Sequence, residues 1–339
     1  MHVYLNRHIP TNSADEAKNQ VELHSLRDHH DLPKIIPVKI QQIRIGIPKG
    51  SLQESTLALF KSAGMSFFGS DRTLWLSSSD SEIQPVLLRP QEIPNFVASG
   101  ELDCGLAGWD WIVESNTGER LSLLADLCYS KRSFRPVKWV LAVSEDSPWK
   151  TLEDLRTINP PIRVSTELVR ITDEWLAEKG IRAKVDFSWG ATEAKPPVFA
   201  DAIVDCTETG SSLRANRLVV IDTLLESTTR FFTSRKIMHD RTEVWKRTKV
   251  QSIAMLLQSC LAAEQQVSIS VICNDTKTSK IIEALIPCQI SFFRHDAGEK
   301  TLFEIASNQE NCRRLLPLFA RNGAAEIKTK RLDMWHVAA

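Results

Sequence analysis

The chain has 339 residues, 42 Lys and Arg against 42 Asp and Glu, 42% hydrophobic and 25% charged. That length predicts two or three domains. The neutral, ordinary composition excludes a disordered chain and a dedicated nucleic-acid binder, which would be basic. No run of about 18 apolar residues occurs, so no transmembrane helix is expected. Seven scattered cysteines, none in a CxxC pair, exclude a zinc ribbon or thioredoxin motif and fit a reducing compartment. Met1–Pro10 lacks a continuous apolar stretch, so a cytoplasmic location is expected.

Residues 1–42 read as a polar arm, with a short helix over Asp15–Leu26. They hold five of the eight histidines (His2, His8, His24, His29, His30). No compact ligand spacing appears among them, so the arm reads as solvated rather than metal-binding. Ile43–Ile47 (IRIGI) is a β-branched run and predicts a strand. Pro48-Lys49-Gly50 breaks it. Ser51-Leu52-Gln53-Glu54 matches a capping box, and Leu52, Leu57, Leu59, Phe60 and Ala63 give a helical apolar pattern closed by Gly64.

The strand–loop–helix unit then recurs. Val86–Leu88 predicts a strand, Gln91–Ala98 a helix and Leu102–Ala107 a strand, followed by Gly108-Trp109-Asp110 and a short helix. Val137–Ser144 and Ile162–Ser165 predict further strands, the second with a helix running to Lys179. Phe199–Cys206 is apolar with interleaved aspartates and leads through a Thr/Gly/Ser loop into a helix starting near Leu213. Alternating strands and helices imply an α/β fold with a largely parallel sheet. Such sheets bind ligands at the carboxyl ends of their strands, so loops 48–51, 89–94, 108–110 and 207–212 are the candidates.

Arg241–Glu264 predicts a connecting helix. After it come Val267–Cys273 (strand), Thr278–Ile286 (helix), Ile290–Phe293 and Thr301–Ala306 (strands), Asn308–Arg321 (helix) and Glu326–Trp335 (strand). The order βαββαβ is ferredoxin-like. The expected division is therefore 1–42 (arm), 43–264 (core with its connecting helix) and 265–339 (small C-terminal domain).

The stretch richest in chemistry is Ala200–Leu213, ADAIVDCTETGSSL. Asp201 and Asp205 lie four apart, which predicts one shared side. The loop Thr207–Ser212 precedes a helix and offers backbone N–H groups and hydroxyls to an anion. Carboxylates beside such a loop suit a sugar phosphate. An ordinary capped helix start with surface aspartates would use the same residue types, so the residues alone leave both readings open.

This stretch resembles the signature of the ATP phosphoribosyltransferase family of histidine biosynthesis. Four further blocks, in order, are similar to the same family: Ile43–Leu52 (IRIGIPKGSL), Leu88–Val97 (LRPQEIPNFV), Ser99–Asp110 (SGELDCGLAGWD), and Lys179-Gly180-Ile181 with Gly190–Glu193 (GATE). The βαββαβ tail resembles the regulatory domain of the family's long, hexameric form. The resemblance implies a two-lobed, periplasmic-binding-protein-like α/β core plus a ferredoxin-like C-terminal domain. It implies transfer of a phosphoribosyl group from phosphoribosyl pyrophosphate to ATP, with Mg²⁺, feedback by histidine, and a homo-oligomer, dimer or hexamer, with neither nucleic acid nor membrane as partner.

Residue by residue, the resemblance assigns Lys49, Arg89 and Asp205 to catalysis. It assigns Asp110, Glu193, Asp201, Glu208, Thr209, Gly210, Ser211 and Ser212 to substrate binding. Metal ligands stay unassigned. Trp109 and Trp111 are expected in the core. Some positions depart from the family pattern. Ser51 stands where many members have Arg, and Thr166–Ile171 reads TELVRI in place of a Tyr-Pro-Asn segment. Cys128–Arg135 (CYSKRSFR) replaces a glycine-containing run, and Pro287–Phe293 (PCQISFF) lacks a Ser-Pro-Thr segment. The competing expectation is a non-catalytic binding or regulatory paralogue of the same fold; the intact ADAIVD and TETGSS runs argue against it.

Overall fold

The computed structural model describes residues 41–70, 73–129 and 136–336. The arm with its Asp15–Leu26 helix, and most of Cys128–Arg135, lie outside the described residues. Among the described residues the strands form two five-stranded sheets, one four-stranded sheet and a two-stranded ribbon. In chain order the strands are β1 (Ile43–Pro48), the short ribbon β2 (Phe67–Phe68) and β3 (Ser77–Ser78), β4 (Ile83–Leu88), β5 (Cys104–Gly108), β6 (Leu121–Leu127), β7 (Val137–Ser144) and β8 (Ile162–Thr166). They continue with β9 (Ala183–Phe187), β10 (Ala202–Thr207), β11 (Leu218–Ser227), β12 (Thr229–Ser234), β13 (Gln266–Asn274), β14 (Phe292–Ala297), β15 (Lys300–Asn308) and β16 (Ala324–Arg331).

The first lobe has strand order β4-β1-β5-β12-β6 and the second β11-β7-β10-β8-β9. This is the two-lobed, periplasmic-binding-protein-like α/β arrangement. The sheets are mixed rather than largely parallel. β4, β1 and β5 run parallel, as do β10, β8 and β9, but β12 is antiparallel to β5 and β6, and β7 to β10 and β11. For β12 the cause is the crossover between lobes. β11 ends at Ser227 and β12 begins at Thr229, so the chain re-enters the first sheet directly, with no crossover helix to reverse it.

Each lobe has its own core. Ile43, Ile45 and Ile47 of β1 are fully buried in the first. The helix Val244–Glu264 seals the same core with Val250, Ile253, Ala254, Leu257 and Cys260. The second core gathers Trp139, Leu141 and Val143 of β7 with Val164, Leu176, Ala202 and Val204. The third sheet has order β14-β15-β13-β16, all antiparallel. Val267, Ile269, Val271 and Cys273 alternate inward along β13 against Leu315 and Phe319 of the helix Gln309–Arg321, the period-two pattern of a sheet with one covered face. The βαββαβ order is as expected.

Two local expectations need correction. Ser51 is not the cap of the first helix, which runs Gln53–Ser62 with Leu52 at its N-cap and no side-chain cap bond. Instead the Gln53 N–H donates to the Gly50 carbonyl at 3.1 Å, so Ser51 is spent inside the turn. The helix expected near Leu213 is a single turn, Ser211–Ala215.

Candidate active site

A cleft of about 700 Å³ lies between the two lobes. Its walls come from the carboxyl ends of parallel strands, where open α/β sheets bind ligands. Parallel register pairs Pro48 with Leu88, and the Lys49 N–H donates to the Leu88 carbonyl at 2.7 Å. Lys49 and Arg89 therefore leave adjacent strand ends side by side. Both are exposed and line the cleft. Neither has an acidic partner among the described residues, so two positive charges face the opening unpaired.

The opposite wall belongs to the second lobe. Asp205, near the end of β10, and Glu208 line the cleft together with Glu167, just past β8. Burial raises the Asp205 carboxyl to about 6, against a loss of proton affinity from the Cys206 N–H it accepts, and the nearby charges of Glu193 and Glu167 push it up further. A half-buried carboxylate among others of like charge is a poor place for an anion. It is a good place for sugar hydroxyls or a cation.

Asp110 lies on the floor of the cleft and is nearly fully buried. Its Oδ2 accepts from the Trp139 indole N–H at 2.6 Å, and its Oδ1 from the Ser227 hydroxyl at 3.0 Å. Burial still raises its proton affinity above the ordinary carboxyl value. Gly108 makes room for this arrangement: a Cβ there would lie 2.0 Å from Asp110 Oδ1. The sequence segment Gly108-Trp109-Asp110 thus encodes a joint between the two lobes. Trp111 is half-buried and stands edge-on to Trp139, at 5.9 Å between centroids.

Other expected residues fall elsewhere. Asp201 precedes β10, so it stands at the end of the strand opposite Asp205. Four residues of strand span about 13 Å, and a shared face is not a shared site. Asp201 does not line the cleft. It accepts from the Arg163 N–H and the Arg163 guanidinium, both at 2.8 Å. Burial opposes its ionisation, but the Arg163 bonds and charge outweigh it and hold the carboxyl below its usual range. Glu193 sits on the short turn Thr192–Ala194, outside the lining but close enough to act on Asp205. Thr209, Gly210, Ser211 and Ser212 also follow β10 just outside the lining. The Gly210 N–H there already donates to Thr207 Oγ1 at 2.8 Å.

The cleft also has members that the sequence reading missed. Glu167 stands in the TELVRI run. Gln91 donates from Nε2 to Glu167 Oε2 at 3.1 Å, joining the two lobes across the opening. Tyr129 shares a 2.7 Å hydrogen bond with the Thr56 hydroxyl beneath the first lobe's wall. A second tie lies behind the cleft. The Glu114 carboxylate accepts the Arg170 and Ile171 N–H groups at 2.8 and 3.0 Å, capping the helix Val169–Glu178 from the other lobe. No helix among the described residues is long and apolar enough to cross a membrane.

The family model described as HisG, ATP phosphoribosyltransferase, matches residues 89–259. An ATP phosphoribosyltransferase of Thermodesulfovibrio yellowstonii is 47% identical over 289 residues, covering 85% of this chain and 96% of that protein. The chain belongs to the ATP phosphoribosyltransferase family. A relative of the same name from Chlorobium luteolum is 43% identical over 288 residues, covering 84% of this chain and 94% of that one. The solved ATP phosphoribosyl transferase (HisG:HisZ) complex from Thermotoga maritima shares the fold, with a TM-score of 0.50 at 22% identity, over 64% of this chain and 99% of that one. The activity is that of a glycosyltransferase: phosphoribosyl pyrophosphate and ATP give phosphoribosyl-ATP and pyrophosphate, the first step of histidine biosynthesis.

Proposed function

We propose that the inter-lobe cleft performs this transfer by aligning two anionic substrates between walls of opposite charge. The observation that carries the reading is the pairing of unpartnered Lys49 and Arg89 on one lobe with Asp205 on the other. Lys49 and Arg89 hold the pyrophosphate that leaves or the phosphates of the nucleotide. Asp205 and Glu208 accept from ribose hydroxyls, and Thr209–Ser212 receive the 5′-phosphate at the rim. A bond forms between an adenine ring nitrogen and the anomeric carbon while the bond to pyrophosphate breaks. The sugar passes through a cationic state that the carboxylates favour. Most of the rate gain comes from alignment and from charge on the leaving group.

The formal charge of the chain is zero, so attraction for these anions is local rather than a property of the whole surface. No group of three or more metal-ligating side chains occurs among the described residues. The donor set fits Mg²⁺ nonetheless, because this ion keeps its waters and binds through one or two carboxylates plus substrate phosphates. Asp205 and Glu167 would hold it, and it would offset phosphate charge.

The division 1–42, 43–264 and 265–339 belongs to the same proposal, with the third part as a regulatory domain sensing histidine, in a cytoplasmic dimer or hexamer. The test is to mix purified protein with ATP, phosphoribosyl pyrophosphate, Mg²⁺ and pyrophosphatase. Phosphoribosyl-ATP identified by mass supports the reading, and intact ATP overturns it in favour of a non-catalytic paralogue. Light scattering and a histidine titration in the same assay read the assembly and the feedback.

A further inference from the structure

Charged side chains account for the phosphates and ribose of the two substrates, but a purine base needs an apolar, polarisable face. Five aromatic residues line the cleft: Trp111, Tyr129, Trp139, Phe187 and Trp189. Three are committed elsewhere. The Trp139 indole is bonded to Asp110, Trp111 packs edge-on against Trp139, and Tyr129 is buried on Thr56. Phe187 and Trp189 are different. They are 45% and 89% exposed, and their rings meet edge-to-face at 4.8 Å.

A tryptophan that exposed adds nothing to the core, yet the residues flanking it are held firmly. The Ser188 N–H donates to the Thr166 carbonyl at 2.7 Å, and the Ser188 and Thr192 hydroxyls share a 2.7 Å bond. The Lys195 ammonium donates to the Ser165 and Ser188 hydroxyls at 2.8 and 2.7 Å. Gly190 and Ala191 both take positive φ, +123° and +47°, the second a strained choice for alanine. The chain thus holds a costly turn that brings Trp189 out over the cleft.

We propose that Trp189, braced by Phe187, is the stacking platform for the adenine base of ATP. This deepens the proposed function and rests on it. One ring face of Trp189 receives the base, and Phe187 limits the rotation of the indole from its edge. The positively charged pair Lys49 and Arg89 lies on the facing lobe, where the phosphates of the same nucleotide would reach. Trp189 is a substrate-positioning residue in this account, with no part in bond making.

The test is steady-state kinetics of Trp189→Ala and Trp189→Phe with each substrate varied in turn, alongside calorimetric ATP binding. Loss of a base–aromatic stack is expected to raise KM for ATP about tenfold or more, leave KM for phosphoribosyl pyrophosphate within about twofold, and be largely restored by phenylalanine. Quenching of tryptophan fluorescence by ATP should fall in Trp189→Phe while KM stays near wild type. An unchanged KM for ATP in Trp189→Ala, or an equal rise for both substrates, overturns the platform. The proposed function fails separately, if the unaltered protein forms no phosphoribosyl-ATP. In that event calorimetry still decides the platform: ATP binding lost in Trp189→Ala supports it and equal binding overturns it.

Discussion

The Trp139 indole N–H donates to the Asp110 carboxylate at 2.6 Å across the floor of the cleft, and this bond joins the second lobe's β7 to the first lobe. Its donor lies in an apolar run that gives no sign of a polar role. Trp139→Phe keeps the ring packing but leaves a buried carboxylate with one donor fewer. It should cost about 1–3 kcal/mol of stability, read by urea unfolding. An unchanged midpoint would show that the Ser227 and backbone donors suffice.

Asp205 sets a pH dependence. Its carboxyl is raised to about 6, first by burial and then by Glu193 and Glu167. The native state therefore binds its proton more tightly than the unfolded chain does. Stability from this group falls as pH rises from about 4 through about 6. Asp205→Asn should raise the melting temperature by a few degrees at pH 8 and not at pH 4, measured by calorimetry. Activity runs the other way. In the proposed function the ionised form accepts the ribose hydroxyls, so kcat/KM for phosphoribosyl pyrophosphate should fall as pH drops through about 6.

The two aspartates of ADAIVD should behave differently. Asp205→Asn is expected to lower kcat/KM for phosphoribosyl pyrophosphate at least about 100-fold. Asp201→Asn removes a partly exposed pair with Arg163 and should change it by about twofold or less. Equal losses in initial-rate assays would contradict the placement of Asp201 away from the cleft.

Glu114 serves as the cap of a helix it does not belong to. The helix Val169–Glu178 begins after Leu168 with no side-chain cap of its own, and the Glu114 carboxylate receives its first N–H groups. Glu114→Ala should cost about 1–2 kcal/mol, seen as a lower thermal midpoint, and Glu114→Gln should recover part of it.

These cases show where sequence reading succeeds. Strand cores such as Ile43–Ile47 and Val137–Ser144 are legible because burial on both faces demands continuous apolar runs. The βαββαβ tail is legible because its periods change cleanly. Lys49 and Arg89 are legible because each follows a strand in a loop. The antiparallel β12 is not, since nothing in Thr229–Ser234 records which neighbours it will meet. The separation of Asp201 from Asp205 is lost when periodicity is read as proximity. Glu167, Gln91 and Trp189 also follow strand ends, but their side chains gain meaning only where the two lobes meet, as in the Gln91–Glu167 bond.

The claim that local, unpaired cations on the first lobe drive the transfer is tested most directly by Arg89→Ala. Arg89 is exposed and has no acidic partner among the described residues, so its loss should leave the unfolding midpoint unchanged. Steady-state kinetics should show kcat lowered by about 100-fold or more. A properly folded Arg89→Ala protein with wild-type kcat and KM would contradict the account.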